Sequence, residues 1–138
     1  MDEPIGWLRT VVYDADDHET LSTFWQALLG VAVERQMEGW LKLRPDKGGV
    51  SFAFEPMGQG LTPAEAAEAA KSPVRGRPDI EVEDMDIAQA RIEALGGRLV
   101  TVLHVGPDEE HRRMADPEGN EFTIVLPEPP LDADPHAT

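Results

Sequence analysis

Polar and apolar positions divide the chain into two successive series of short elements. A β-branched and aromatic segment over residues 7–13 predicts a first strand. Over 18–29, apolar residues recur at i, i+3, i+4, i+7 and i+8, which indicates an amphipathic helix. Asp17 is suited to the N-cap of this helix and Gly30 to its left-handed C-terminal position. Turn-like segments then separate three predicted strands at 31–35, 40–43 and 50–55.

The second series repeats the same order of elements. A strand is predicted over 78–82, a helix with a weaker stripe over 85–95, and further strands over 98–105, 111–114 and 121–126. We therefore predict one domain over 1–126, with module one at about 7–56, a connector at 57–76 and module two at about 77–126. Within the connector, Thr62 and Pro63 predict the start of a short helix that reaches about Lys71. The proline-rich tail, 127–138, is predicted to be extended or disordered.

A shift of 67 residues superimposes the two series. Asp17 then falls on Asp84 and Gly30 on Gly97, so that both helices begin and end at equivalent residues. Sequence identity between the halves is low, and the repeat rests on the order of elements and on these caps.

Three segments resemble one known family. DADDHETLSTFWQALLGVAVE is similar to the opening of a vicinal-oxygen-chelate module, PDIEVEDMDIAQARIEALGGRLV to the start of a second module, and RMADPEGNEFTIV to its close. The chain thus resembles the glyoxalase, bleomycin resistance protein and dioxygenase superfamily, and most of all its glyoxalase-like domain subgroup. The resemblance implies an α+β fold in which two βαβββ modules form a cupped, half-closed barrel that binds ligands in the cup.

The resemblance also implies where a divalent metal would be held in the enzymes of this family. Each module supplies one ligand from its first strand and one from its last. These positions fall on Thr10, Arg77, Thr123 and, because the register is open there, either Phe54 or Glu55. Threonine is a poor ligand for transition metals and arginine repels cations. We therefore expect neither the family's metal site nor another cofactor.

Strand alternation adds charged residues to the predicted cup. Arg77, Asp79 and Glu81 share one face of their strand, and Thr10, Val12 and Asp14 share the equivalent face of the first strand. We expect Arg77 to pair with Asp79 or Glu81. The same carboxylates leave open an oxygen-rich site for a hard cation. His104 or His111 and the tryptophans Trp7 and Trp40 could also face the cup, whereas Trp25 belongs to the helix stripe.

The net charge and composition of the chain limit the classes of molecule that it is expected to bind. A net charge of −15 argues against nucleic acid and is compatible with a cationic ligand, although an unpaired Arg77 would favour a carboxylate or phosphate group. The chain has no cysteine, which excludes disulfides and thiolate sites and suits the cytoplasm. Neither a signal peptide nor an apolar stretch of membrane-spanning length is visible in the sequence, so no membrane association is expected.

These observations predict a metal-independent protein that binds a small molecule in the cup. The predicted ligand-binding residues are Thr10, Glu55, Arg77, Asp79 and Thr123. The alternative is a lyase or isomerase of glyoxalase or dioxygenase type, with a displaced metal site or with metal-free acid–base chemistry. In that case Glu55, Asp79 or Glu81 would act as base and Arg77 would stabilise an anion. A homodimer is expected, because open cups leave strand edges and apolar surface uncovered.

Overall fold

The structure is a computed structural model that describes residues 3–72, 74–106 and 109–128. It contains eight strands and three helices within this part of the chain. In chain order they are β1 (Trp7–Ala15), α1 (His18–Leu29), β2 (Val33–Met37), β3 (Trp40–Leu43), β4 (Phe52–Pro56), α2 (Pro63–Ala69), β5 (Gly76–Glu81), α3 (Met85–Ala94), β6 (Arg98–Gly106), β7 (Glu109–Ala115) and β8 (Glu121–Val125).

The strands form one curled sheet with the order β2-β3-β4-β1-β5-β8-β7-β6. Module one supplies β1–β4 and α1, and module two supplies β5–β8 and α3. Each first strand runs parallel to the last strand of its own module, and the two first strands pair antiparallel at the centre. The predicted α+β fold of two βαβββ modules in a half-closed barrel is therefore confirmed.

Several strand ends differ from the prediction, because pairing between strands rather than local sequence fixes them. β1 extends two residues further, since Asp14 and Ala15 still pair with β4. β5 begins two residues earlier, where Gly76 pairs with Tyr13. β2 begins at Val33 because the Val31 amide still donates to the carbonyl of Gln26 at the end of α1.

The predicted N-caps of the two long helices and the C-terminal glycine of α1 are present, whereas α3 ends at Ala94 and is followed by Gly96, not Gly97, in the left-handed conformation, with φ 98°. Asp17 accepts a hydrogen bond from the Thr20 amide at 3.1 Å, and Asp84 accepts one from the Ile87 amide at 2.9 Å. Gly30 ends α1 in the left-handed conformation, with φ 68°. At the N-termini, these carboxylates satisfy amides that lack a partner within the helix.

Both helices pack on the convex face of the sheet. Leu21 and Trp25 of α1 lie against a cluster that includes Phe54, while Phe24 and Leu28 of the same predicted stripe are each 60% exposed. In module two, the core cluster formed by α3 and the sheet contains Val82, Met85, Ala88, Ile92, Met114 and Ile124. The concave face is thus left to the polar side chains.

The connector folds onto the concave side of module two. Thr62 and Glu65 form a capping box at the start of α2, which ends at Ala69, two residues before the predicted end. Gly60 lies against Leu103 of β6. Of the tail, Pro127 and Glu128 are described, and the prediction for 129–138 lies outside the described residues. Over the described ranges, no helix has the length and apolarity needed to span a bilayer.

Candidate functional site

All five predicted ligand-binding residues lie on the concave face of the sheet, which we call the cup. Thr10, Arg77 and Thr123 are buried, with 2%, 7% and 4% of their surfaces exposed. The sequence left open whether Phe54 or Glu55 faces the cup. In the structure, Phe54 belongs to the core under α1, and Glu55 faces the cup beside Asp14. The structure therefore brings the predicted positions together on one surface.

Two rows of side chains cross the cup, one for each module. Register partners on neighbouring strands place their side chains on the same face of a sheet. The module-one row consists of Arg77 on β5, Val12 on β1, Ala53 on β4, Lys42 on β3 and Arg35 on β2. The module-two row consists of Thr10 on β1, Asp79 on β5, Thr123 on β8, Arg113 on β7 and Thr101 on β6.

Arg77 joins the two modules through buried ion pairs. Its Nη1 and Nη2 donate to the two carboxylate oxygens of Asp14 at 2.7 and 2.8 Å, and Nη2 also donates to Glu55 Oε1 at 3.2 Å. The prediction that Arg77 pairs with Asp79 or Glu81 is wrong. Asp14 and Glu55 are register neighbours, and together they offer the guanidinium three carboxyl oxygens at hydrogen-bond distance.

Two cup carboxyls have pKa values well above their usual range. Burial, followed by repulsion from Asp14, raises the pKa of Glu55 to about 8, although Arg77 opposes the shift. Burial raises the pKa of Asp79 to about 6, against the attraction of Arg9, Arg77 and Arg113. Both groups therefore hold a proton at a higher pH than exposed carboxyls do.

A second cluster of charges fills the cup of module one. The Glu128 carboxylate lies 2.5 Å from Lys42 Nζ, 2.9 Å from Arg35 Nε and 3.4 Å from Arg9 Nε. Arg9 also donates to Glu81 Oε1 at 3.0 Å and to the carbonyl of Leu126. The segment after β8 thus crosses back over module one and places its own carboxylate among three cations.

The sequence analysis did not select Lys42, Arg113 or Glu128. Lys42 stands between Leu41 and Leu43 on β3, and Arg113 precedes Met114 on β7, so strand alternation puts both cations on the cup face. Alternation was applied to the first strands alone, where the family's metal ligands fall. Applying it to β3 and β7 would have found both residues, whereas no sequence pattern indicates the position of Glu128.

The residues present do not fit the family's metal ion. The Thr10 hydroxyl lies 2.9 Å from the hydroxyl of Ser51, and Glu55, the one carboxylate among the four positions, is bonded to Arg77. Within the described ranges, no group of three histidine or acidic side chains is arranged to hold a metal. A permanent guanidinium at the centre of the site also raises the free-energy cost of bringing in a divalent cation.

The histidines differ in their access to the cup. His111 is the register partner of Leu103 and shares the face of Arg113, and burial lowers the pKa of its imidazole. His104 is exposed and lies in register with Glu110, whose neighbour Arg112 is bonded to α3 on the convex side. Trp40 is half-buried on the cup side of β3, whereas Trp7 is largely exposed and Trp25 packs under α1.

A hollow of about 510 Å³ lies outside the cup, on the helix side of module two. It is lined mainly by apolar side chains, including Ile5, Ile80 and Phe122. Arg91, at its edge, donates to the carbonyl of Glu3 at 2.6 Å. We place the functional site in the cup because the buried titratable groups converge there, whereas the walls of this hollow are formed mainly by apolar side chains.

Comparison with known proteins agrees with this geometry. A model of the glyoxalase-like domain matches residues 10–125. Among solved structures, methylmalonyl-CoA epimerase from Mycobacterium tuberculosis superposes with a TM-score of 0.66 at 18% identity, covering 96% of each chain. A glyoxalase/bleomycin resistance protein/dioxygenase superfamily member from Vibrio splendidus gives a TM-score of 0.51 at 16% identity, covering 86% of this chain and 97% of its own.

A third structure, described as an NAD-dependent benzaldehyde dehydrogenase from Legionella pneumophila, has a TM-score of 0.65 at 11% identity, with 86% of this chain and 98% of its own covered. No curated protein sequence matches the chain. At these identities the structural likenesses show the fold and not the activity. The match of the family's sequence model over most of the chain confirms the predicted resemblance to the glyoxalase-like subgroup: this chain belongs to the glyoxalase-like domain family.

Proposed function

We propose that this protein binds a small organic molecule in its cup and does so without a metal ion. The observation that carries the proposal is the Arg77 guanidinium, which is bonded to Glu55 and Asp14 where the family's metal ligands converge. Breaking these bonds to free Glu55 would leave a buried cation without its partners, which is costly. The cup remains a concave, polar-centred surface of the kind that holds small ligands.

Metal content and ligand capture test this proposal on the purified protein. We expect elemental analysis, after growth in medium supplemented with Zn²⁺, Ni²⁺, Mn²⁺ and Fe²⁺, to find no stoichiometric metal. Native mass spectrometry should instead retain a small organic molecule. Tight one-to-one binding of a first-row metal by the wild type, abolished by Glu55→Gln and unchanged by the exposed control Glu38→Gln, would contradict the proposal.

A second candidate function, metal-free proton transfer, is favoured by Asp79. Of the three carboxylates considered as bases, Glu55 is bonded to Arg77 and Glu81 to Arg9. Asp79 has no hydrogen bond or ion pair among the described residues, and its pKa is raised to about 6. A base with a pKa near the working pH combines the ionised form with appreciable proton affinity.

Deuterium exchange of the captured ligand separates this candidate from simple binding. In ²H₂O, a proton-transfer enzyme exchanges a C–H proton of its ligand, and Asp79→Asn would abolish the exchange while the ligand remains bound. Exchange that is absent in the wild type, or that persists in Asp79→Asn at the wild-type rate, would count against an enzymatic role of this residue.

We also propose a homodimer. β2 and β6 are the outer strands of the sheet, and Phe24 and Leu28 expose apolar surface on α1. Uncovered strand edges and contiguous apolar side chains favour association. Light scattering is expected to give twice the mass of one chain at micromolar concentration, and the mass of a single chain would contradict this.

A cytoplasmic location, which suits the cysteine-free sequence, stays a prediction.

A further inference from the structure

Arg113 is a buried cation that makes no hydrogen bond to any other residue that the structure describes. Its surface is 5% exposed, and its Nε has no hydrogen-bond acceptor among the described residues. Glu121 Oε1 lies 3.9 Å from this Nε, beyond hydrogen-bond distance. Burial, followed by repulsion from Arg77, lowers the pKa of the guanidinium, so its surroundings disfavour the charged form. Buried donors without acceptors are rare and costly in folded proteins.

The adjacent Arg112, on the opposite face of β7, has the acceptors that Arg113 lacks among the described residues. Arg112 points to the opposite face of β7 and donates to Asp86 at 2.7 Å and to Gln89 at 2.9 Å. It also donates to Glu110 and to the carbonyl of Met85. The same strand therefore satisfies one guanidinium fully and leaves the next one, which is more deeply buried, without an acceptor.

Lys42, at the equivalent position in module one, is a buried cation that does have acceptors. Lys42 and Arg113 each stand fourth in the row of their module, and both are buried on the cup face. Lys42 has the carboxylate of Glu128 at 2.5 Å and that of Glu34 at 3.5 Å. The chain thus places an anion within hydrogen-bond distance of the cation of module one, whereas within the described residues Glu65 and Glu121 act on Arg113 through charge and without a hydrogen bond.

We propose that the cup of module two binds the anionic oxygen group, a carboxylate or a phosphate, of a small ligand on Arg113. This inference rests on the proposed function and names the ligand's charge. A planar guanidinium binds such groups through two parallel hydrogen bonds. Thr123, the register partner of Arg113 on β8, has a hydroxyl that is a suitable further donor, whereas the hydroxyl of Thr101 on β6 already lowers the pKa of the Glu65 carboxyl of α2 by hydrogen bonding. The expectation of a cationic ligand, drawn from the net charge, is replaced by this one.

A matched set of ligands tests the charge requirement on the wild-type protein. Benzoate, benzamide and benzamidine share one shape and carry a negative, zero and positive charge, and phenyl phosphate replaces the carboxylate by a phosphate. Titrations are followed by the amide NMR signals of β6, β7 and β8. We expect saturable shifts at Thr101, Arg113 and Thr123 with benzoate or phenyl phosphate, and binding of benzamide at least about tenfold weaker. Whichever anion binds more tightly identifies the group.

Two variants test the residue. Arg113→Gln should weaken binding of the preferred anion by at least about tenfold, since a charge-assisted pair is lost. The control Arg98→Gln removes the same charge from an exposed position of module two and should leave affinity unchanged. Because Arg113 makes no hydrogen bond among the described residues, we expect Arg113→Gln to fold, and the ligand series on the wild type does not depend on it.

Several results would overturn the inference. They are equal affinities for benzoate and benzamide, unchanged anion affinity in Arg113→Gln, shifts that map to Lys42 instead, and no saturable binding of either anion at millimolar concentration. Preferential binding of benzamidine in the cup would overturn it while leaving the proposed function intact. Stoichiometric metal binding would contradict the proposed function itself, so the two failures are distinguishable.

Discussion

Lys42 in module one and Arg113 in module two stand at equivalent places in the cup, yet their surroundings differ. Around Lys42, the chain gathers Glu34 and Glu128, and the latter also contacts Arg9 and Arg35. Around Arg113 the nearest ion pair has a separation of 3.9 Å. A protein that needed both cations for stability would be expected to pair both. The difference is what the proposal requires, since the chain supplies the hydrogen-bonding anion of Lys42 and a ligand would supply that of Arg113.

Breaking the link between the modules should have the largest effect. Arg77→Met leaves Asp14 and Glu55 buried side by side without their cation, and we expect it to lower the free energy of unfolding by about 4 kcal/mol. Urea denaturation measures this value. The control Arg75→Met removes a mostly exposed cation, 3.6 Å from Asp16, and should change stability by less than about 0.5 kcal/mol. Similar losses for both variants would mean that the buried pairs contribute little.

The same substitution at the two equivalent cations tests the comparison directly. Lys42→Met leaves Glu34 and Glu128 without their shared cation and should cost about 3 kcal/mol. Arg113→Met removes a buried charge that has no hydrogen bond among the described residues, so its effect should stay within about 1 kcal/mol, on the stabilising side. Thermal unfolding of both variants in the same buffer measures the difference. Equal losses would show that Arg113 is structurally paired and would remove the distinction between the modules.

Much of this fold could be predicted because its determinants are local. The caps at Asp17, Gly30 and Asp84 and the presence of the two long helices are determined within short sequence windows, and the structure contains each of them. The two-residue period of a strand was sufficient to predict that Thr10, Val12 and Asp14 of β1 face the cup. These features need no knowledge of which strands pair.

The charge pairing of the cup could not be predicted, because it depends on long-range register. Arg77 finds Asp14 63 residues away, and Lys42 finds Glu128 86 residues away. Glu128 lies in a tail that its prolines predicted to be extended or disordered, and composition gives no sign that its carboxylate returns to the cup. The sequence thus indicated which face carries the site but not which of its charges remain unpaired.

The pH dependence of the free energy of unfolding reports the protonation state of Glu55, which contacts Arg77 between the two modules. Because burial raises the pKa of Glu55 from 4.5 to about 8, the folded state holds a proton that the unfolded state releases. Stability from this group is present below pH 4.5 and is lost as the pH rises to about 8. Glu55→Gln should therefore gain roughly 3 kcal/mol on the wild type between pH 5 and pH 8.

Chemical denaturation at several pH values measures this gain, and Glu118→Gln, in an exposed turn, is the control. The comparison between variants matters because His111 acts in the opposite direction. Its lowered pKa makes the fold lose stability as the pH falls below about 6.5. A gain of Glu55→Gln that does not grow with pH would show that Glu55 is ionised in the folded protein and paired with Arg77 throughout.

Removing the carboxylate that closes module one should have the smallest effect on stability and a distinct effect on binding. In Glu128→Ala, Arg9 keeps Glu81 and Lys42 keeps Glu34, so we expect a loss of about 1 kcal/mol. Lys42 loses the nearer of its two carboxylates and keeps Glu34 at 3.5 Å. If a buried cation without a close anion is what makes an anion site, the variant should bind two molecules of the preferred anion where the wild type binds one, with new NMR shifts at Lys42. Glu118→Ala, which removes an equal charge from an exposed turn, should keep one site. A stoichiometry of one in Glu128→Ala would mean that removing the nearer anion of a buried cation is not enough to create a site.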